Sequence, residues 1–192
     1  MPRATIRDLL DKFGWDLVTG SPRALERPVT LPDTNRPGLE LAGYFPDTAR
    51  RRLVILGAKE MGYIHEEMDE VAQRRAFEFL TGPMTPGIVI TNGSRCPEIL
   101  EEIARRKDFP VARTLEKTTY VVNNVTNFLD EKLAPSHIIH GELVQIFGVG
   151  VLICGKSGMG KSEIVLELIK RGHQLVADDR VDCYRIHNTL IG

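Results

Sequence analysis

Cysteine is scarce: Cys96, Cys154 and Cys183 are the only three among 192 residues. Their odd number and lack of metal-ligand spacing exclude a disulfide framework or a thiolate metal centre, and predict reduced thiols in a cytoplasmic protein. An excess of charge is also missing. Twenty-five basic residues nearly balance 26 acidic ones, for a formal net charge of −1. That balance argues against nucleic acid or a membrane surface as the partner. The clusters Arg50-Arg51-Arg52, Arg74-Arg75 and Arg105-Arg106-Lys107 are short and scattered, and read as solvated faces. No apolar run approaches the ~18–20 residues that a membrane span needs. Met1-Pro2-Arg3 leads into a polar helix, so no secretory signal is expected. Internal repeats and low-complexity segments are lacking. What is present is ordinary globular material, 42% hydrophobic and 27% charged, sufficient for one large or two small packed domains.

One stretch organises the rest. Val151-Leu152-Ile153-Cys154 runs into Gly155-Lys156-Ser157-Gly158-Met159-Gly160-Lys161-Ser162, a Gly-x-x-x-x-Gly-Lys-Ser pattern. The apolar run reads as a buried strand, and Glu163 to Arg171 reads as a helix. Strand, glycine loop and helix are the context that a phosphate-binding loop requires. Glycines let successive backbone N–H groups turn inward around an anion, and the helix adds its positive end. Lys161 has the reach for terminal phosphates, and the Ser162 hydroxyl can hold Mg2+.

Earlier in the chain, Thr5 to Phe13 spaces Ile6, Leu9, Leu10 and Phe13 on one helical stripe, closed by Gly14. Leu17 to Gly20 reads as a short strand. Residues 21–50 are rich in proline and glycine and read as a long ordered loop. Alternation then begins. Leu53–Gly57, Gly87–Gly93 and Val111–Arg113 read as strands, with helices over 64–80, from Pro97, and over 117–132. This order predicts a small parallel α/β domain over residues 1–132. Residues 133–192 form a second, strand-rich domain. Ile138 to Phe147 alternates, Gly148-Val149-Gly150 is a turn, Gly172 caps the loop helix, and strands follow over Gln174–Ala177 and Val181–Ile186. From Ser136 onward only about 57 residues remain, a marginal core for a phosphate-loop domain. A chain truncated within its catalytic domain is therefore expected.

Asp178 and Asp179 end the apolar strand after the loop helix, seventeen and eighteen residues beyond Lys161. Carboxylates so placed face a phosphate loop and orient Mg2+. One can serve the metal while the other accepts a proton from an attacking hydroxyl. His140, fifteen residues before Gly155, reaches the phosphates if a hairpin folds back. Arg180 is a phosphate or carboxylate partner. His65, His137, His173 and His187 carry no pattern.

His140-Gly141, the run Phe147–Glu163 and the run Lys170–Val181 resemble the bifunctional HPr kinase/phosphorylase family. Asn35–Phe45 and Thr126–Pro135 resemble its N-terminal domain and linker, so the likeness covers essentially the whole chain. The resemblance implies a catalytic domain similar to phosphoenolpyruvate carboxykinase and a homohexameric assembly. It implies ATP-dependent phosphorylation of a seryl residue of the phosphocarrier HPr, in carbon or nitrogen regulation. It also implies the reverse-type reaction, in which inorganic phosphate attacks phosphoseryl-HPr and pyrophosphate leaves. By motif, Gly155 to Ser162 bind ATP, Ser162 and Asp178 contact Mg2+, and His140 and Lys161 are active-site residues. Asp179 is the proton acceptor in phosphorylation and the donor in dephosphorylation. Lys156 departs from the family, which usually carries an acid there. The family's later second metal-ligand carboxylate, active-site arginine and carrier-binding region are not in these 192 residues, so little or no phosphotransfer is expected from them alone. Two other readings stand beside this one: a small-molecule kinase or generic phosphate-loop NTPase, and an inert regulatory or assembly fragment.

Overall fold

The computed structural model describes residues 4–46, 51–186 and 189–192. They fall into two compact units, residues 1–133 and 134–192.

The first unit begins with β1 (Ala4–Thr5), α1 (Ile6–Phe13) and β2 (Asp16–Thr19). Thr5 caps α1 reciprocally: its hydroxyl accepts from the Asp8 amide, and the Asp8 carboxylate accepts from the Thr5 amide at 2.8 Å. Gly14, at φ 64°, closes the helix with its amide on the Leu10 carbonyl. The segment read as a loop is more regular than expected. It holds a 3-10 turn at Ala24–Glu26, β3 (Pro28–Val29), β4 (Thr34–Asn35) and α2 (Gly38–Leu41); residues 47–50 of that expectation, Arg50 included, lie outside the described residues.

Alternation follows: β5 (Leu53–Leu56), α3 (Ala58–Glu66), α4 (Glu70–Leu80), β6 (Ile88–Ile90), α5 (Glu98–Arg106), β7 (Val111–Arg113) and α6 (Thr118–Leu133). The single helix expected over 64–80 is two. The Asp69 carboxylate accepts from the Ala72 amide at 2.7 Å and starts α4 afresh, as a strong N-cap residue does. The sheet order is β2-β7-β6-β5-β4, parallel except for β2. Its central strands β5, β6 and β7 are buried on both faces, and their side chains alternate between two cores. Val54, Leu56, Ile88 and Ile90 pack with Met61, Ile64, Phe77, Leu100 and Ile103. Leu53, Ile55, Val89 and Ala112 pack with Ile6, Leu9, Val121, Val125 and Leu129. Each buried valine, leucine or isoleucine among them contributes about 1.5–3 kcal/mol. Within the basic clusters, Arg74 forms a surface ion pair with Glu102, Arg105 with Glu101, and Arg106 and Lys107 with Glu78, while Arg75 lies over the Phe45 ring.

The second unit contains β8 (Ser136–His140), β9 (Glu142–Ile146), β10 (Val149–Ile153), α7 (Lys161–Lys170), β11 (Gln174–Ala177), β12 (Arg180–Ile186) and β13 (Thr189–Ile191). The alternating stretch 138–147, read as one run, is cut at Gly141. β8 joins the antiparallel sheet β13-β12-β8, whereas β9 is the centre of the antiparallel sheet β10-β9-β11. Phe147 and Gly148, at φ 49° and 83°, form the two-residue hairpin from β9 to β10, the turn that matches the strand twist. The strand feeding the glycine loop is not buried as predicted. β10 is an edge strand, leaving Val151 37% exposed and Leu152 and Ile153 half-buried.

Candidate nucleotide-phosphate site

The glycine loop leaves β10 and enters α7. Gly158 and Gly160 both adopt left-handed backbone, at φ 81° and 82°, which side-chain-bearing residues resist. No side chain caps α7, so its first-turn amides carry the helix's positive end without an internal partner. Gly160, Lys161, Ser162 and Glu163 line a cavity of about 580 Å3 together with Gly155, Ser157 and Gly158. The other walls are His140, Gly141, Glu142, Asp178 and Asp179. Lys156 and Met159, both expected in the cradle, are exposed and do not line the cavity.

Two chain crossings between the sheets meet at this cavity. His140-Gly141-Glu142 carries the chain from β8 to β9, and Asp178-Asp179 carries it from β11 to β12. The β8–β12 pairing sets His140 opposite Arg180, and the Gly141 amide donates to the Asp179 carbonyl at 3.2 Å. His140 therefore reaches the site through this pairing and not through a hairpin with the loop strand. Only glycine fits at position 141, where a Cβ would lie 2.8 Å from the Ile153 carbonyl oxygen and 3.2 Å from Cys154 Sγ. Asp179 has φ 62°, a left-handed conformation that a short polar side chain tolerates. Its neighbour Arg180 donates through Nε and Nη2 to Asp182 at 3.2 and 3.1 Å, which fixes the carboxylate half of the expectation for that arginine. His173 packs edge-on against Phe147, with ring centroids 5.0 Å apart; His187 lies outside the described residues.

The cavity's charges are unbalanced. Four carboxylates, Glu142, Glu163, Asp178 and Asp179, share its wall with one ammonium, Lys161, whose Nζ donates to the Lys156 carbonyl at 3.2 Å. A polyphosphate entering such a site needs a cation beside it. The residues suit Mg2+. Among the described residues no group of three or more His, Cys, Asp or Glu forms a metal cage, and Mg2+ is usually held by one or two protein oxygens plus substrate phosphates. Glu142 was not flagged by sequence. It is 4% exposed, its Oε1 accepts from Ser162 Oγ at 2.7 Å, and its Oε2 is buried without a hydrogen-bond partner. The available signal was parity: in β9, Glu142 shares the inward face with Val144.

A strand–glycine loop–helix cradle facing a carboxylate pair defines a phosphate-loop nucleotide-binding protein. Comparison with known families narrows this. The family model described as HPr Serine kinase N terminus matches residues 4–129, and the HPr Serine kinase C-terminal domain matches residues 131–192. The chain belongs to the HPr serine kinase family. It is 44% identical over 182 residues to the HPr kinase/phosphorylase of Geobacillus sp. (strain WCH70), covering 95% of this chain and 58% of that protein. It is 43% identical to the same-named protein of Geobacillus kaustophilus and 41% to that of Bacillus subtilis (strain 168), each over 100% of this chain and 61% and 62% of the relative. The chain thus spans 58–62% of the length of these relatives. Among the described residues no helix is long and apolar enough to cross a membrane.

Proposed function

We propose that residues 134–192 bind Mg2+·ATP for phosphoryl transfer to a seryl hydroxyl of HPr or an HPr-like carrier, and for the phosphorolytic return reaction. The observation that supports this most is the convergence of loop residues Gly155, Ser157, Gly158, Gly160, Lys161 and Ser162 with the Asp178-Asp179 turn on one cavity, in a chain of this family. Loop amides and the α7 N-terminus bind the polyphosphate, and Lys161 swings from its carbonyl partner onto the terminal phosphates. Ser162 and Asp178 would hold Mg2+, which would supply charge neutralisation on the phosphoryl oxygens. A neutral serine hydroxyl is a weak nucleophile. Asp179 accepts its proton as the oxygen bonds to the γ-phosphorus and ADP leaves. In the return direction, inorganic phosphate attacks the phosphoseryl phosphorus. The departing seryl oxygen takes a proton from Asp179, and pyrophosphate is released. His140, on the strand paired with Arg180, orients the attacking group.

Calorimetric titration of the chain with Mg2+·ATP tests the binding half. The transfer half is tested with HPr and labelled ATP, and with phosphoseryl-HPr and phosphate, on residues 1–192 joined to the part of the Bacillus subtilis relative that this chain does not span. Heat on nucleotide addition, phosphoserine on HPr and pyrophosphate from phosphoseryl-HPr support the reading. Absence of heat, or label on a small molecule and none on HPr, overturns it.

A further inference from the structure

Glu142 is the one carboxylate of the second unit held away from solvent, at 4% exposure. It opens β9, the central strand of its sheet, opposite Ile153 of β10, and lies against the start of α7 through Ser162. One oxygen has the Ser162 hydroxyl; the other has no hydrogen-bond partner. A buried carboxylate oxygen is unfavourable unless a cation or a donor compensates it. Glu142 has no ion-pair partner among the described residues: Lys161 is turned to the Lys156 carbonyl, and the other charged side chains on the wall, Glu163, Asp178 and Asp179, are acids. The sequence has thus placed an uncompensated charge directly behind the hydroxyl expected to meet the metal.

We infer that Glu142 is a positioning residue for the divalent cation that accompanies the nucleotide, an inference that rests on the nucleotide reading above. Two effects follow from its geometry. By accepting the Ser162 hydrogen bond, Glu142 fixes the hydroxyl rotor, so that the free lone pairs of Oγ are offered to the cation. As the fourth carboxylate on the wall, it makes the cavity repel an unaccompanied polyphosphate and attract one that carries a metal. Glu142 thereby acts through Ser162 on the choice between free and cation-loaded nucleotide, and touches neither the transferred phosphoryl group nor the acceptor.

The test compares the intact chain with E142Q and E142L by calorimetric titration with a non-hydrolysable ATP analogue, once with Mg2+ and once with EDTA, alongside melting of the ligand-free protein. Glutamine keeps the size and an oxygen that accepts from Ser162 but removes the charge; leucine removes both. The expected result for E142Q is a ten- to hundredfold loss of Mg2+-loaded affinity, with EDTA affinity unchanged or raised. E142L loses at least as much. Melting of the ligand-free protein shifts upward in E142Q, because an uncompensated charge has gone. If E142L does not fold, E142Q alone decides. A Mg2+-to-EDTA affinity ratio for E142Q within about twofold of the parent's, or equal losses in both conditions, overturns the inference while leaving nucleotide binding standing. No heat from the parent chain in either condition overturns the nucleotide reading, and the inference with it.

Discussion

The Gly141 amide donates to the Asp179 carbonyl across 3.2 Å, joining the two strand crossings that wall the cavity. Ile153 stands on the far side, leaving 2.8 Å for a Cβ at position 141. Gly141→Ala should therefore destabilise the second unit by about 1–3 kcal/mol, as overpacking does. It should also weaken Mg2+·ATP binding at least tenfold by displacing the Asp178-Asp179 turn. Gly150→Ala is the control, since its nearest contact would be Leu143 Cδ1 at 3.8 Å. Melting curves and calorimetry of both variants check this; equal behaviour contradicts it.

Lys161 separates binding from folding. Its ammonium has the exposed Lys156 carbonyl as its hydrogen-bond partner, so Lys161→Ala should move stability by no more than about 0.5 kcal/mol. Nucleotide affinity should fall by ten- to hundredfold, about 1.4–2.8 kcal/mol. Denaturant melts and titrations read the two quantities independently.

Asp179 carries a backbone demand and, in the proposed reaction, a chemical one, and two substitutions divide them. Asp179→Asn tolerates φ 62° and should preserve fold and nucleotide binding while slowing carrier phosphorylation about 10²–10⁴-fold, through loss of the base. Asp179→Val should instead cost about 1–3 kcal/mol of stability, because a β-branched residue is strained there. Melting of this chain, and phosphoserine formation by the same variants in the extended protein used for the transfer assay, distinguish the pair.

Acid should unfold the first unit from its carboxylate ties. The Thr5 hydroxyl holds the Asp8 carboxyl below its usual range, Lys107 does so for Glu78, and the Ser21 hydroxyl for Asp108. A carboxylate depressed by folding stabilises above its unfolded value, and that stability is lost as pH falls through the folded one. Stability should thus be level at neutral pH and decline below about pH 4. Asp8→Asn should cost about 0.5–2 kcal/mol at pH 7 by breaking the reciprocal cap, and should flatten the acid limb. Urea melts between pH 2 and 7 check both.

The thiols should react in a fixed order. Cys154 is exposed, whereas Cys96 and Cys183 are half-buried. Burial pushes the Cys96 thiol up to about 12, so almost no thiolate forms at pH 8. With a thiol-reactive dye, Cys154 should label first and Cys96 only on unfolding. Peptide mapping over time provides the readout.

Much of this was legible before any fold was known. Gly155 to Ser162 announces its strand–loop–helix context because glycines at φ 81° and 82° have few other reasons to recur there. The parallel sheet of the first unit was readable from Leu53–Leu56 and Ile88–Ile90, whose full burial needs helices on both faces. Long-range pairing was not legible. Nothing local in Ser136–Ile146 states that Gly141 sends its two halves into different sheets, so His140 was brought to the phosphates by the wrong route. Glu142 was missed because a glutamate on an alternating strand is normally the solvent side. The break at Asp69 was visible as an N-cap residue, but apolar periodicity on either side concealed it.

Since β8 and β12 lie in one sheet and β9, β10 and β11 in the other, the cradle and His140 ride on different platforms, and each acidic or imidazole wall hangs at a seam. The angle between the platforms therefore sets the separation of His140 from the cradle. Substitutions along the β8–β12 ladder, such as at Ile139 or Val181, would tune the bite on a polyphosphate from a distance, without altering any group that touches it.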